Sequence, residues 1–162
     1  MSRLMKFLHT MGAIGLMGAM AALLVLLSIA PPPTDLHEYA LARAAMDRIA
    51  RWIFFPSLAL TLIAGLLGLA FNRSYQNAPW ALIKLALGII TFEWGFVAVQ
   101  GPMQNEATLA AKALAGEADP AGLGLHLDAE WGSLWVLLAV ATVNVALGVW
   151  RPRFAWVRFT PD

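Results

Sequence analysis

Four stretches of this chain are almost uninterrupted apolar sequence: Phe7–Ala30, Trp52–Phe71, Ala81–Val99 and Trp131–Trp150. Each is close to the ~20 residues that a helix needs to cross the hydrocarbon core of a bilayer. In lipid, only helices and closed barrels satisfy every backbone N–H and C=O, and these runs lack the in–out alternation of barrel strands. The pattern predicts an all-α fold, an integral membrane four-helix bundle forming a single domain over residues 1–162.

The polar positions divide the runs and shape their ends. Pro31-Pro32-Pro33 stops helix one, and Thr34 or Asp35 stands where an N-cap would open a new helix. Leu36–Arg51 has good helix formers throughout, so helix two is expected to start well before the membrane, extended on the outer side. Pro56 then falls inside it, removing one backbone donor and favouring a kink. Gly101-Pro102 reads as the end of helix three, and Asp119-Pro120 through Gly124 as a turn before helix four. The first apolar run, with Arg3 and Lys6 ahead of it, has the outline of a secretion signal. It is longer than the roughly 7–15 apolar residues of such a signal, and Pro31 follows the small-residue site. It is read as helix one.

Basic residues set the orientation. Arg3, Lys6, Arg73, Arg151, Arg153 and Arg158 flank ends that an even number of spans puts on one side, which is then cytoplasmic together with the N and C termini. The link before helix four carries Glu106, Glu117, Asp119, Asp128 and Glu130 against Lys112, which suits the outer side. Of the seven tryptophans, Trp52 and Trp131 mark outer boundaries, and Trp80, Trp150 and Trp156 inner ones. The expected location is the bacterial inner (plasma) membrane.

Composition sharpens this picture. Hydrophobic residues are 60% and charged residues 13%, too few polar groups to cover a water-soluble globule. The expected partners are the lipid bilayer and the helices of other membrane subunits or of a homo-oligomer. A net charge of +1 without a basic stripe excludes nucleic acid. Absence of cysteine excludes disulfides, thiolate metal sites and cysteine nucleophiles, so redox chemistry would need a bound cofactor. Gly12, Gly15, Gly18 and Ala19 in helix one, and Ala64, Gly65 and Gly68 in helix two, predict close helix contacts.

Ionisable groups inside a span are costly and usually functional. His9 and Lys84 lie about one turn in from the same end of helices one and three, and Asn144 about two turns from that end of helix four. The three share a depth, and a neutral imidazole is a natural axial ligand for haem iron. Glu93, about 13 Å beyond Lys84, points to the opposite face of helix three, with Gln100 nearly on its side. Arg48 or Arg51 is the expected partner of Glu93, as a structural ion pair; a relay or quinone-site carboxylate is the functional alternative. On the outer side, His37 with Asp35 or Glu38, and His126 with Glu130, contain the ligand types of a zinc or copper site, although nothing in the sequence brings the two loops together. No phosphate loop, Ser-His-Asp arrangement or zinc-protease helix is present.

Some of these positions form a pattern. Leu8-His9 opens helix one, Met46-x-Arg48-Ile49 precedes helix two, Pro56-Ser57-Leu58-x-Leu60-Thr61-Leu62 leads to Gly65-Leu66, and Trp80-x-x-x-Lys84-Leu85 opens helix three. Over roughly its first hundred residues the chain resembles an uncharacterised family of small bacterial inner-membrane proteins. That family is similar to copper-resistance-D-like proteins and to the membrane-type protoporphyrinogen oxidase. The resemblance implies b-type haem associated with His9 and Lys84. The chain departs from the oxidase pattern at Pro31-Pro32-Pro33, where that family has an aromatic segment ending in histidine, and in its long link Gly101–Glu130. Haem binding carries over better than porphyrinogen oxidation. Two readings of function therefore stand: an accessory or structural subunit of a membrane complex, and a haem-b-binding protein of electron transfer or tetrapyrrole chemistry.

Overall fold

The computed structural model describes residues 3–71 and 79–150. Arg73, Arg151, Arg153, Trp156 and Arg158, used above for orientation, lie outside them. The first helix, α1, covers Arg3–Ile29 and ends just before the three prolines. The second, α2 (Leu36–Ile49), follows Asp35, whose side chain makes no cap bond, and runs through a single π turn (Ala50–Phe54) into α3 (Phe55–Ala70). The third apolar stretch opens as α4 (Pro79–Gly95), passes a second π turn (Phe96–Gln100) and continues as α5 (Gly101–Leu114). A short 3-10 turn at Pro120–Gly122 leads to the last helix, α6 (Leu127–Trp150). No strand occurs among the described residues.

The chain thus holds four helices long and apolar enough to cross a membrane, the architecture of a multi-pass membrane protein. Consecutive spans pack side by side, α1 on α3, α3 on α4 and α4 on α6, and α6 closes the ring against α1. Leu16, Met20, Leu23, Phe54, Leu58, Val99, Met103, Leu134 and Leu137 fill the interior. Large apolar side chains such as Ile14, Ile63, Val97 and Val149 stand exposed on the outside, where a lipid-facing surface needs them.

The continuous helices Leu36–Ala70 and Trp80–Leu114 have 35 residues each. At 1.5 Å per residue they are about 52 Å long, well beyond a core of about 30 Å. The excess is α2 and α5, which pack on each other beyond the bundle around Tyr39, Ala40, Ala110, Ala113 and Leu123. The extension of helix two is as expected. The expected end of helix three at Gly101-Pro102 is not: the helix continues to Leu114, and the link before α6 shrinks to residues 115–126.

The reason is local. A proline within an α-helix lacks a donor and its ring clashes with the carbonyl four residues back. Here each proline follows a π turn, in which Phe55 N–H donates to Ala50 O and Gly101 N–H to Phe96 O. The wider i→i+5 ring makes room for Pro56 and Pro102, so both helices continue. The two π turns touch, with the Phe55 ring 5.8 Å from that of Phe92 and 5.7 Å from that of Phe96, between centroids.

The predicted small-residue seam exists for part of its length. Gly12 and Gly15 of α1 lie against Ser57 and Thr61 of α3, and a Cβ on Gly12 would come within 2.9 Å of Thr61 N and 3.0 Å of Ser57 O. Gly18 is exposed with no atom near it, so it takes no part.

The turn before α6 is also as expected. The Asp119 side chain accepts from Ala121 N at 2.9 Å, and Gly124 adopts a φ of 75°. A Cβ there would also lie 3.0 Å from Pro33 Cγ. Gly124→Ala is expected to lower stability by about 1–2 kcal/mol through left-handed backbone strain, as measured by thermal unfolding in detergent. Gly122→Ala, with no atom within 4 Å, is the control and should leave the melting curve unchanged.

Candidate functional site

Two polar sites stand at opposite ends of the bundle. The first is a cavity of about 400 Å³ lined by α1, α3, α4 and α6, and it brings His9, Lys84 and Asn144 together. Its volume lies within the ~300–1,000 Å³ of small-molecule and cofactor sites. The walls are mainly apolar, from Leu16, Met17, Leu58, Leu62, Leu85 and Val145, with the buried Thr91 among them. Lys6 and Lys84 bring positive charge, and no carboxylate is among the lining residues.

His9 is fixed by the packing of α1 on α3. Its Nδ1 lies 2.8 Å from Thr61 O and donates to it if that nitrogen carries the proton. That carbonyl is also the one to which helix geometry assigns the N–H of Gly65, and it has two lone pairs to offer. Gly65 lets the ring approach: a Cβ there would touch His9 Cε1 and Nδ1 at 3.4 Å. With Nδ1–H engaged, the Nε2 lone pair is left for a ligand. Histidines that bind metal characteristically donate their other N–H to a carbonyl in this way.

Lys84 is placed by a second glycine. Its amine lies against α6 where Gly148 has no side chain, and a Cβ there would stand 2.8 Å from Nζ. Thus His9 and Lys84 each rest on a glycine of the neighbouring helix, where the backbone carries no side chain.

The second site is at the far end, where α2, α5 and the first turn of α6 meet. Arg43 is 1% exposed. Its Nη1 donates to Glu130 Oε2 at 2.7 Å and its Nε to the Tyr39 hydroxyl at 3.1 Å, with Cζ 5.2 Å from the Tyr39 ring centroid. Tyr39 in turn donates to Glu106 Oε1 at 2.5 Å, and Gly124 N donates to the same oxygen at 2.7 Å. These residues lie beyond the apolar stretches. Burial, and then the bond to Glu106, push the Tyr39 phenol up to about 12, so it remains an O–H donor at neutral pH.

Sequence reasoning missed this network as such. Its one local signal is the i, i+4 spacing of Tyr39 and Arg43 on a predicted helix. The partners Glu106 and Glu130 lie 67 and 87 residues away, and only the fold brings them in. The carboxylate considered above as a metal ligand, Glu130, is the buried partner of Arg43, while His37 and His126 are exposed. No group of three potential metal-ligating side chains occurs among the described residues.

Glu93 and Gln100 do not form the polar face expected of them. Arg51 Nη2 bonds both Asp47 oxygens, at 3.2 and 3.1 Å, and Arg48 is exposed on α2. Neither reaches Glu93, which stands exposed on the flank of α4. Phasing explains this: Glu93 sits half a rotation from Lys84, and Lys84 faces the cavity. Gln100, in the π turn, has its Oε1 buried without a hydrogen bond.

Neither the protein-family models, the curated proteins nor the solved structures include a match to this chain.

Proposed function

We propose that this chain is a multi-pass protein of the bacterial inner membrane, with both termini cytoplasmic, that holds haem b in the cavity around His9. It would serve as an accessory subunit in electron transfer or tetrapyrrole chemistry. The observation that carries this reading is the bond from His9 to Thr61 O, which leaves the Nε2 lone pair of a residue lining a largely apolar cavity for a ligand. The resemblance of the Leu8-His9 and Trp80-x-x-x-Lys84 segments to haem-associated membrane proteins supports it from the sequence.

In this reading His9 would hold the iron through Nε2, with Thr61 O keeping the ring oriented. Lys6 and Lys84 would balance the acidic edge of the macrocycle, and the leucine walls would give it an apolar seat. Bound there, haem b supplies one-electron transfer, and the low-dielectric surroundings tune its potential.

An absorption spectrum of protein purified after haem-replete expression tests this. The wild type should show a Soret band and His9→Ala should lose it, while Lys84→Met keeps it with altered intensity or position. A wild type without the band, or equal haem content in His9→Ala, would overturn the reading.

A further inference from the structure

Asn144 places a carboxamide roughly 9 Å inside the last span, measured along α6 from Trp150. Its side chain is half-buried and lines the cavity, and no hydrogen bond joins it to any of the described residues. In hydrocarbon an unbonded amide is costly, because no water stands in for the missing partner. The threonines of the spans avoid that cost within their own helices. Thr61, Thr91 and Thr142 each donate to the carbonyl four residues back. Asn144 does not, so its partner must come from the cavity.

The surroundings fix what kind of partner that is. Asn144 and Gly148 are one turn apart on the same face of α6, and the Lys84 amine sits in the notch at Gly148. The carboxamide and the ammonium therefore share one wall of the cavity, whereas His9 is held on another by Thr61 and Gly65 of α3. Lys6 adds a second ammonium, and no carboxylate is among the lining residues, so the potential inside favours an anion. An ammonium only donates, and a carboxamide donates through its N–H groups. Together they suit the two oxygens of a carboxylate, while the leucine walls suit an apolar body.

We infer that Asn144, with Lys84, receives a carboxylate of the bound molecule, so that the cavity selects an amphipathic carboxylic acid over its neutral ester. This rests on the reading of the cavity as a ligand site; in haem b the group received is a carboxylate on the edge of the macrocycle. The two walls then divide the work. His9 meets the iron, and Asn144 with Lys84 meets the acid.

Haem and its dimethyl ester, titrated into protein reconstituted in phosphatidylcholine vesicles, test this. The two compounds share iron, ring and apolar edge and differ in charge at the acid groups. Trp80 lines the cavity, so quenching of tryptophan emission reads occupancy whether or not the iron is ligated, and the Soret band reads ligation separately. The wild type should bind the free acid about a hundredfold more tightly than the ester, the weight of hydrogen bonds to a charged group. Asn144→Leu should cut that ratio about tenfold and leave affinity for the ester nearly unchanged. Misfolding cannot give that pattern, because it weakens both compounds alike. Asn144→Asp, which keeps the size but adds a negative charge, should abolish the preference for the acid. Equal wild-type affinities for acid and ester would overturn the inference, as would emission quenched by neither compound or a ratio indifferent to Asn144→Leu. A preserved acid preference, with a Soret band indifferent to His9→Ala, would uphold it and overturn the axial role of His9 alone.

Discussion

Arg43→Ala is expected to destabilise the protein by about 3–5 kcal/mol, the cost of stranding a buried charge. The guanidinium is the centre of the α2–α5–α6 junction, and its removal leaves Glu130 buried at 3% exposure without its partner. Tyr39 also loses the donor on its hydroxyl. Arg43→Lys should fall between, because an ammonium keeps the charge but not the fork that reaches Glu130 and Tyr39 together. The double replacement Arg43→Met with Glu130→Met should recover most of the loss, since well-packed apolar residues often substitute for a buried pair without penalty. Denaturant unfolding in detergent measures the totals. Proteolysis of the α2–α5 extension should locate the damage there, with the four spans intact.

The outcome also bears on how much of the protein the sequence made legible. Four spans follow from apolar length alone, because lipid leaves the backbone no alternative to closed hydrogen bonding. The start of α2 at Leu36 follows from the proline stop ahead of it. The continuation through Pro102 does not, because it depends on a π turn that has no residue signature of its own. Shared depth foretold that His9, Lys84 and Asn144 converge, since in a bilayer one coordinate of each residue is known in advance. The rotation of each helix about its axis is not known in advance. That is why the sequence pattern suggests Arg48 or Arg51 as the partner of Glu93, whereas in the fold Glu93 stands exposed on the flank of α4. The Arg43 network was hidden for the complementary reason: outside the membrane the depth rule no longer applies, and pairing depends on which loops meet.

The seam between α1 and α3 joins stability to the site, and Gly12→Leu should reveal both at once. Gly12 sits three residues after His9, on the same face of α1. A side chain there has nowhere to go: even its Cβ would meet Thr61 N at 2.9 Å and Ser57 O at 3.0 Å, backbone atoms that cannot rotate aside. The helices must part, at the 1–3 kcal/mol or so that overpacking a close contact costs. Parting them also carries the Thr61 carbonyl away from His9 Nδ1, a bond now 2.8 Å long. The variant should therefore unfold earlier and also lose whatever spectroscopic signature the cavity gives the wild type, though His9 itself is untouched. Gly18→Leu is the matched control, the same change on the same helix at a position with no atom within 4 Å. It should alter neither the unfolding midpoint nor the spectrum. Equal effects at positions 12 and 18 would mean that helix propensity governs α1, and that the seam does not position the imidazole.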